Sequence, residues 1–163
     1  MGGESGAGAG IGTGEFIMIG EGMTHKELVE IGKHWVKFAK GCNPVFTELG
    51  STHLSEKPDV IGWTPNDCIV VECKISLSDF MADFKKPHRT DGGLGNYRYY
   101  LIPFYLLEQV KDKDRKGWGL VVVNENTRAE QERLQGSKEF SRNLEAEVFY
   151  LRSRIFQIQN FGT

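Results

Sequence analysis

Hydrophobic positions along the chain change period several times, and each change marks an element. Leu28, Ile31, Trp35 and Phe38 recur every three to four residues, predicting a helix from about His25 to Lys40 with one buried face. Thr24 and Glu27 have the spacing of a capping box, and Met23 and Leu28 that of a hydrophobic staple. Gly41 followed by Pro44 ends the helix. Val45–Leu49, Asp59–Trp63 and Cys68–Ile75 then read as strands. The last two flank Thr64-Pro65-Asn66-Asp67, whose Pro65 and Asn66 suit the middle of a tight turn, so they form an antiparallel hairpin. A short helix over Ser78–Lys86 is stopped by Pro87, and Asp91–Asn96 is a glycine-rich loop. Tyr97–Pro103 and Trp118–Asn124 are two further strands, separated by a helical turn and the charged loop Lys111–Gly117. Finally Phe140, Leu144, Val148, Leu151, Ile155 and Ile158 step by threes and fours, an apolar stripe along a helix of about 20 residues. That stripe is expected to join the core, or to serve self-association and make a homodimer through the C-terminal helix. The order of elements predicts an α/β fold, a mixed sheet of about four to five strands flanked by helices.

Composition adjusts this picture at one end. Nine of the 20 glycines fall within residues 1–22, which hold Glu4, Glu15 and Glu21 but no Lys or Arg. This stretch reads as a flexible Gly-rich tail, leaving residues 23–163 as a single domain. No GxGxxG register exists in it, so it is not read as a dinucleotide loop. Setting the three acids aside turns 20 basic against 22 acidic residues into 20 against 19, a marginally basic body. Cys42, Cys68 and Cys73 are odd in number and form no CxxC pair, which suits reduced thiols in the cytoplasm and excludes a disulfide framework or zinc knuckle. No apolar run approaches the roughly 18 residues of a spanning helix, so no membrane association is expected.

The chemistry concentrates in the hairpin. Cys68–Ile75 is apolar except for Glu72 and Lys74, which alternation places on one face while Cys73 points to the other. A turn centred between Pro65 and Asn66 sets Asp59 directly opposite Glu72, with Cβ atoms about 5 Å apart. Two facing carboxylates repel as anions unless a cation lies between them. Mg²⁺, or Mn²⁺ in its place, answers this by taking oxygens from Asp59, Glu72 and the Cys73 backbone carbonyl, with water completing the shell. Such an ion activates water for phosphodiester hydrolysis, and Lys74 stabilises the developing charge or orients the water. The tripeptide [Asp/Glu]-x-Lys is common by chance. It occurs three times here, and only Glu72-Cys73-Lys74 lies on an apolar strand facing an aspartate. The plainer alternative is an edge strand whose Glu72 and Lys74 meet water or each other.

Pro58-Asp59, twelve intervening residues and Glu72-Cys73-Lys74 resemble the signature of the PD-(D/E)xK nuclease superfamily. The resemblance covers about residues 25–124, including the leading and following helices. Ser78-Asp79-Phe80 with Asp83, Tyr97-Arg98-Tyr99-Tyr100 through Pro103, and Gly117-Trp118-Gly119-Leu120 are also similar to small stand-alone nuclease-like proteins of bacteria and phages, among them a DNA-repair-associated group. It implies a restriction-endonuclease-like core and a Mg²⁺-dependent endonuclease acting on DNA. Asp59 and Glu72 become metal ligands and Lys74 the catalytic lysine. The superfamily often adds an acid from the first helix or the strand before Pro-Asp. Glu30 and Glu48 are the two candidates, Glu48 being expected to lie buried between apolar neighbours.

On the substrate side, Lys85, Lys86 and Arg89 precede the glycine loop, and Arg98 sits among tyrosines. Basic residues interleaved with aromatics suit phosphate contact and base stacking. His53, in the loop leading to Asp59, is a candidate proton shuttle. The competing class is a nuclease-fold module that binds nucleic acid or a partner protein without cutting, to which the near-neutral charge gives some weight.

Overall fold

The computed structural model describes residues 23–48, 57–86, 92–133 and 136–162. The glycine-rich tail, His53 and Arg89 lie outside the described residues. Helix α1 spans His25–Phe38, followed by strands β1 (Val45–Thr47), β2 (Val60–Trp63) and β3 (Cys68–Cys73). Helix α2 (Leu77–Asp83) leads to β4 (Tyr97–Pro103). A 3-10 turn (Phe104–Leu106) and α3 (Leu107–Val110) precede β5 (Gly119–Val123), β6 (Glu130–Arg133) and α4 (Leu144–Phe161). The six strands form one mixed sheet in chain order. Pairing is antiparallel at β1/β2, β2/β3 and β5/β6, and parallel at β3/β4 and β4/β5. Each parallel pair needs a crossover, which α2 and α3 supply. The α/β expectation holds, and β6, a polar strand with no hydrophobic alternation, joins the five strands that the pattern marks.

One sheet face carries Val60, Ile69, Val71, Cys73, Leu101 and Val121 and packs against α1. The capping box of α1 is present: Glu27 N–H donates to Thr24 Oγ1 at 3.1 Å and Thr24 N–H to the Glu27 carboxylate at 3.2 Å. Its buried side is Leu28, Gly32, Trp35 and Val36, and Phe38 is exposed. The phase differs from the predicted one because Gly32 lets the helix close on the sheet. A Cβ there would meet Leu101 Cδ2 at 3.1 Å and Val60 Cγ2 at 3.3 Å.

The other face carries Ile61, Cys68, Val70, Tyr100, Ile102 and Leu120, covered by Phe80 of α2, Val110 of α3 and Tyr150 of α4. Helix α4 corrects a second expectation. It buries Glu147, Tyr150 and Arg154, while Leu144, Val148, Ile155 and Ile158 of the predicted core stripe are exposed. The cause is the buried Trp63 indole, which requires an acceptor. Trp63 Nε1 donates to Glu147 Oε1 at 2.9 Å, and Arg142 donates to both oxygens of that carboxylate at 2.9 Å each. The Arg154 guanidinium lies over the Phe46 ring at 4.9 Å. Fixing Glu147 inward rotates the apolar stripe outward.

Candidate active site

The hairpin adopts the predicted register. Val60 pairs with Val71 and Trp63 with Cys68, which continues one step to bring Asp59 opposite Glu72. Thr64 holds the turn: its N–H donates to the Asp67 carbonyl at 2.9 Å, and its Oγ1 accepts from the N–H groups of Asn66 and Asp67. Asp59 Oδ2 accepts from the Cys73 N–H at 2.8 Å, extending the β2/β3 ladder with a side chain. Because N–H and C=O of one strand residue point to the same side, the Cys73 carbonyl lies on the β2 edge of β3, the edge from which Asp59 approaches, while the Lys74 N–H turns to β4. The Cys73 thiol lies on the α1 face, where burial pushes its pKa well up. Only its backbone faces the carboxylates.

Asp59, Glu72 and Lys74 are all buried. Lys74 Nζ lies 3.0 Å from Asp83 Oδ1 and 3.8 Å from Asp79 Oδ1, both on α2. Burial opposes its charge, but the carboxylates of Asp83, Glu72 and Asp79 outweigh burial and hold its pKa above the ordinary lysine value. Lys74 is therefore an ammonium at neutral pH, suited to stabilising negative charge and unsuited to accepting a proton. Asp83 is oriented in turn by the Tyr100 hydroxyl, which donates to Oδ2 at 2.7 Å. Tyr100 stands beside Glu72 on the neighbouring strand and is clamped by the Phe80 and Trp118 rings at 4.9 and 4.7 Å. At the Asp59 end, His25 Nε2 of α1 is 3.4 Å from Oδ2. That hydrogen bond raises the pKa of His25 above 6.5.

Of the two additional acids, Glu48 continues the β1/β2 register opposite Asp59, its N–H donating to the Asp59 carbonyl at 3.2 Å. Glu48, Asp59, Glu72 and Tyr100 thus form a row across four neighbouring strands. Glu48 is exposed, however, not buried as its neighbours suggest, because β1 is an edge strand that ends at Thr47. Glu30 is exposed on α1, which packs on the face opposite Glu72 and Lys74. The residue that α1 brings to the hairpin is His25. Lys85 and Lys86 are exposed after α2, and Lys86 Nζ lies 3.4 Å from Asp83. Arg98 is committed elsewhere. Buried to 1% exposure, it donates to the Gly95 and Gly93 carbonyls at 2.7 and 3.1 Å and lies 4.2 Å from the Phe140 ring centre. It ties down the glycine loop and has no free face for a phosphate.

Among the described residues no three His, Cys, Asp or Glu side chains are grouped to hold a metal ion. The donors at the hairpin are two carboxylates and a main-chain carbonyl, all hard oxygens. That set fits Mg²⁺, which is commonly held by one or two carboxylates and keeps several waters. His25, Asp79, Asp83 and Tyr100 are the site residues that the hydrophobic pattern does not reveal. Asp79 and Asp83 did carry a signal: they are four residues apart on one side of a short helix that directly follows Lys74.

No protein-family model and no curated protein matches the chain. Among solved structures, a protein of unknown function from Silicibacter pomeroyi superposes with a TM-score of 0.61 at 16% identity. The match covers 85% of this chain and 92% of that one. At this identity the likeness is one of fold. No helix among the described residues is long and apolar enough to cross a membrane.

Proposed function

We propose that this protein is a metal-dependent nuclease of the PD-(D/E)xK type that hydrolyses phosphodiester bonds in DNA. The observation that carries this reading is the pairing of Asp59 with Glu72 at one end of the β2/β3 hairpin, beside a buried, charged Lys74. Asp59, Glu72 and the Cys73 carbonyl would hold Mg²⁺ or Mn²⁺, and Glu48 could reach the same row from the edge strand. When bound, the ion polarises a phosphoryl oxygen and acidifies a water molecule.

The chain's own residues do the rest. Lys74 presents an ammonium to the negative charge that develops on the phosphoryl oxygens, and its burial strengthens that interaction. Asp83, fixed by Tyr100, holds the ammonium on the Glu72 face. Lys85 and Lys86 stand exposed beside α2, where they can contact the substrate backbone. Three free, buried cysteines suit the cytoplasm.

A non-cleaving module remains the second reading. It is favoured by the Lys86 contact with Asp83 and the burial of Arg98, which leave few cations for a strong hold on DNA. Single-stranded, duplex and branched DNA and RNA incubated with Mg²⁺, Mn²⁺ or EDTA separate the two. The nuclease reading expects metal-dependent cleavage of a DNA substrate. Salt-dependent binding without cleavage in either metal supports the module.

A further inference from the structure

The outward side of α4 presents Leu144, Val148, Phe149, Ile155, Phe156 and Ile158, each between 41% and 61% exposed. The inward side of the same helix is held by Trp63 and Arg142 through Glu147 and by the Phe46 ring against Arg154. The helix therefore cannot rotate to bury these residues without stranding Glu147. We propose that the N-terminal half of this face is the interface of a weak homodimer in which α4 packs antiparallel against α4 of a second copy of this chain.

Charge placement selects a second copy as the occupant. Leu144, Glu145, Val148, Phe149 and Arg152 line a shallow groove of about 430 Å³. Glu145 lies three residues before Val148, and Arg152 three residues after Phe149. A two-fold axis passing between Val148 and Phe149 brings Glu145 of each copy to Arg152 of the other. Apolar side chains meet at the centre and opposite charges at both ends. This self-complementarity is the requirement of an isologous interface. In this register the two helices overlap over residues 144–153, so Leu144, Val148 and Phe149 supply roughly 100 Å² each, about 300 Å² per copy, the scale of a weak and transient dimer, and Ile155, Phe156 and Ile158 lie beyond the overlap. Two antiparallel helices also align their macrodipoles favourably.

The test is sedimentation velocity of the full chain across a concentration series from micromolar to millimolar, with four variants. Wild type is expected to be a concentration-dependent dimer. Val148→Asp is expected to be monomeric with an unchanged circular dichroism spectrum and a thermal midpoint that no longer rises with protein concentration. Glu145→Arg and Arg152→Glu should each weaken the dimer about tenfold or more, and the double exchange should restore it. A wild type that stays monomeric throughout, or a Val148→Asp dimer as tight as wild type, overturns the proposal. Failure of the double exchange to restore association overturns the antiparallel register.

Discussion

Replacing Lys74 with Met keeps the aliphatic stem and deletes the ammonium, and the consequences follow from what remains around Asp83. The Asp83 carboxylate is fully buried, with Lys74 Nζ at 3.0 Å, Lys86 Nζ at 3.4 Å and the Tyr100 hydroxyl at 2.7 Å. Removing one partner of a buried ion pair costs about 3–5 kcal/mol, because the other charge is left in low dielectric. Lys86 remains within reach, so the lower end applies, about 3 kcal/mol. For a chain of this size each kcal/mol moves the melting temperature by about 2–4 °C, giving a drop of roughly 6–12 °C. Adding Asp83→Asn removes the stranded charge while keeping an acceptor for Tyr100, and should recover about half of the loss. Thermal and urea denaturation of the two single variants and the double form a double-mutant cycle whose coupling is at least about 1.5 kcal/mol, the part of the Lys74→Met loss that Asp83→Asn recovers. Lys74→Met within about 0.5 kcal/mol of wild type would refute the claim that this pair holds β3 to α2. A double variant no more stable than Lys74→Met would refute the stranded charge as the cause.

His25 has a raised pKa, so its contact with Asp59 contributes stability that is fully present below about pH 6.5 and lost as pH rises through the folded value. Titration of the His25 imidazole by NMR should show a midpoint above 6.5 that falls in Asp59→Asn, and an unchanged midpoint in that variant would contradict the contact. Gly62 on β2 leaves no room for a side chain: a Cβ would sit 2.8 Å from both Cys42 Cβ and Val36 Cγ1. Gly62→Ala should therefore lose about 1–3 kcal/mol in urea denaturation, and a fully stable variant would contradict the packing of α1 on β2.

The hairpin was legible because its determinants are local. Pro65-Asn66 sets the turn, the turn sets the register, and the register alone places Asp59 opposite Glu72. The capping box of α1 was legible for the same reason. Features set by distant partners were not. The rotation of α4 depends on Trp63, 84 residues from Glu147, whose indole N–H needs a buried acceptor. The exposure of Glu48 depends on β1 being an edge strand, and the burial of Arg98 on carbonyls of the glycine loop and the Phe140 ring. A basic residue among aromatics reads as a phosphate contact when only its neighbours in sequence are visible, and here it is a clamp. Asp83 and Tyr100 come together only because β4 lies parallel beside β3 and α2 crosses between them.

We propose that Asp59, Glu72 and Lys74 constitute one phosphodiesterase site. Cleavage of plasmid DNA in Mn²⁺, with and without EDTA, by wild type, Asp59→Asn, Glu72→Gln and Lys74→Met tests it most directly, with Mn²⁺ binding measured in parallel by calorimetry. The expected result is EDTA-sensitive cleavage by wild type, loss of cleavage in all three folded variants, and weakened Mn²⁺ binding in the two carboxylate variants but not in Lys74→Met. Cleavage by Lys74→Met at the wild-type rate, or Mn²⁺ binding unchanged in both carboxylate variants, would contradict it.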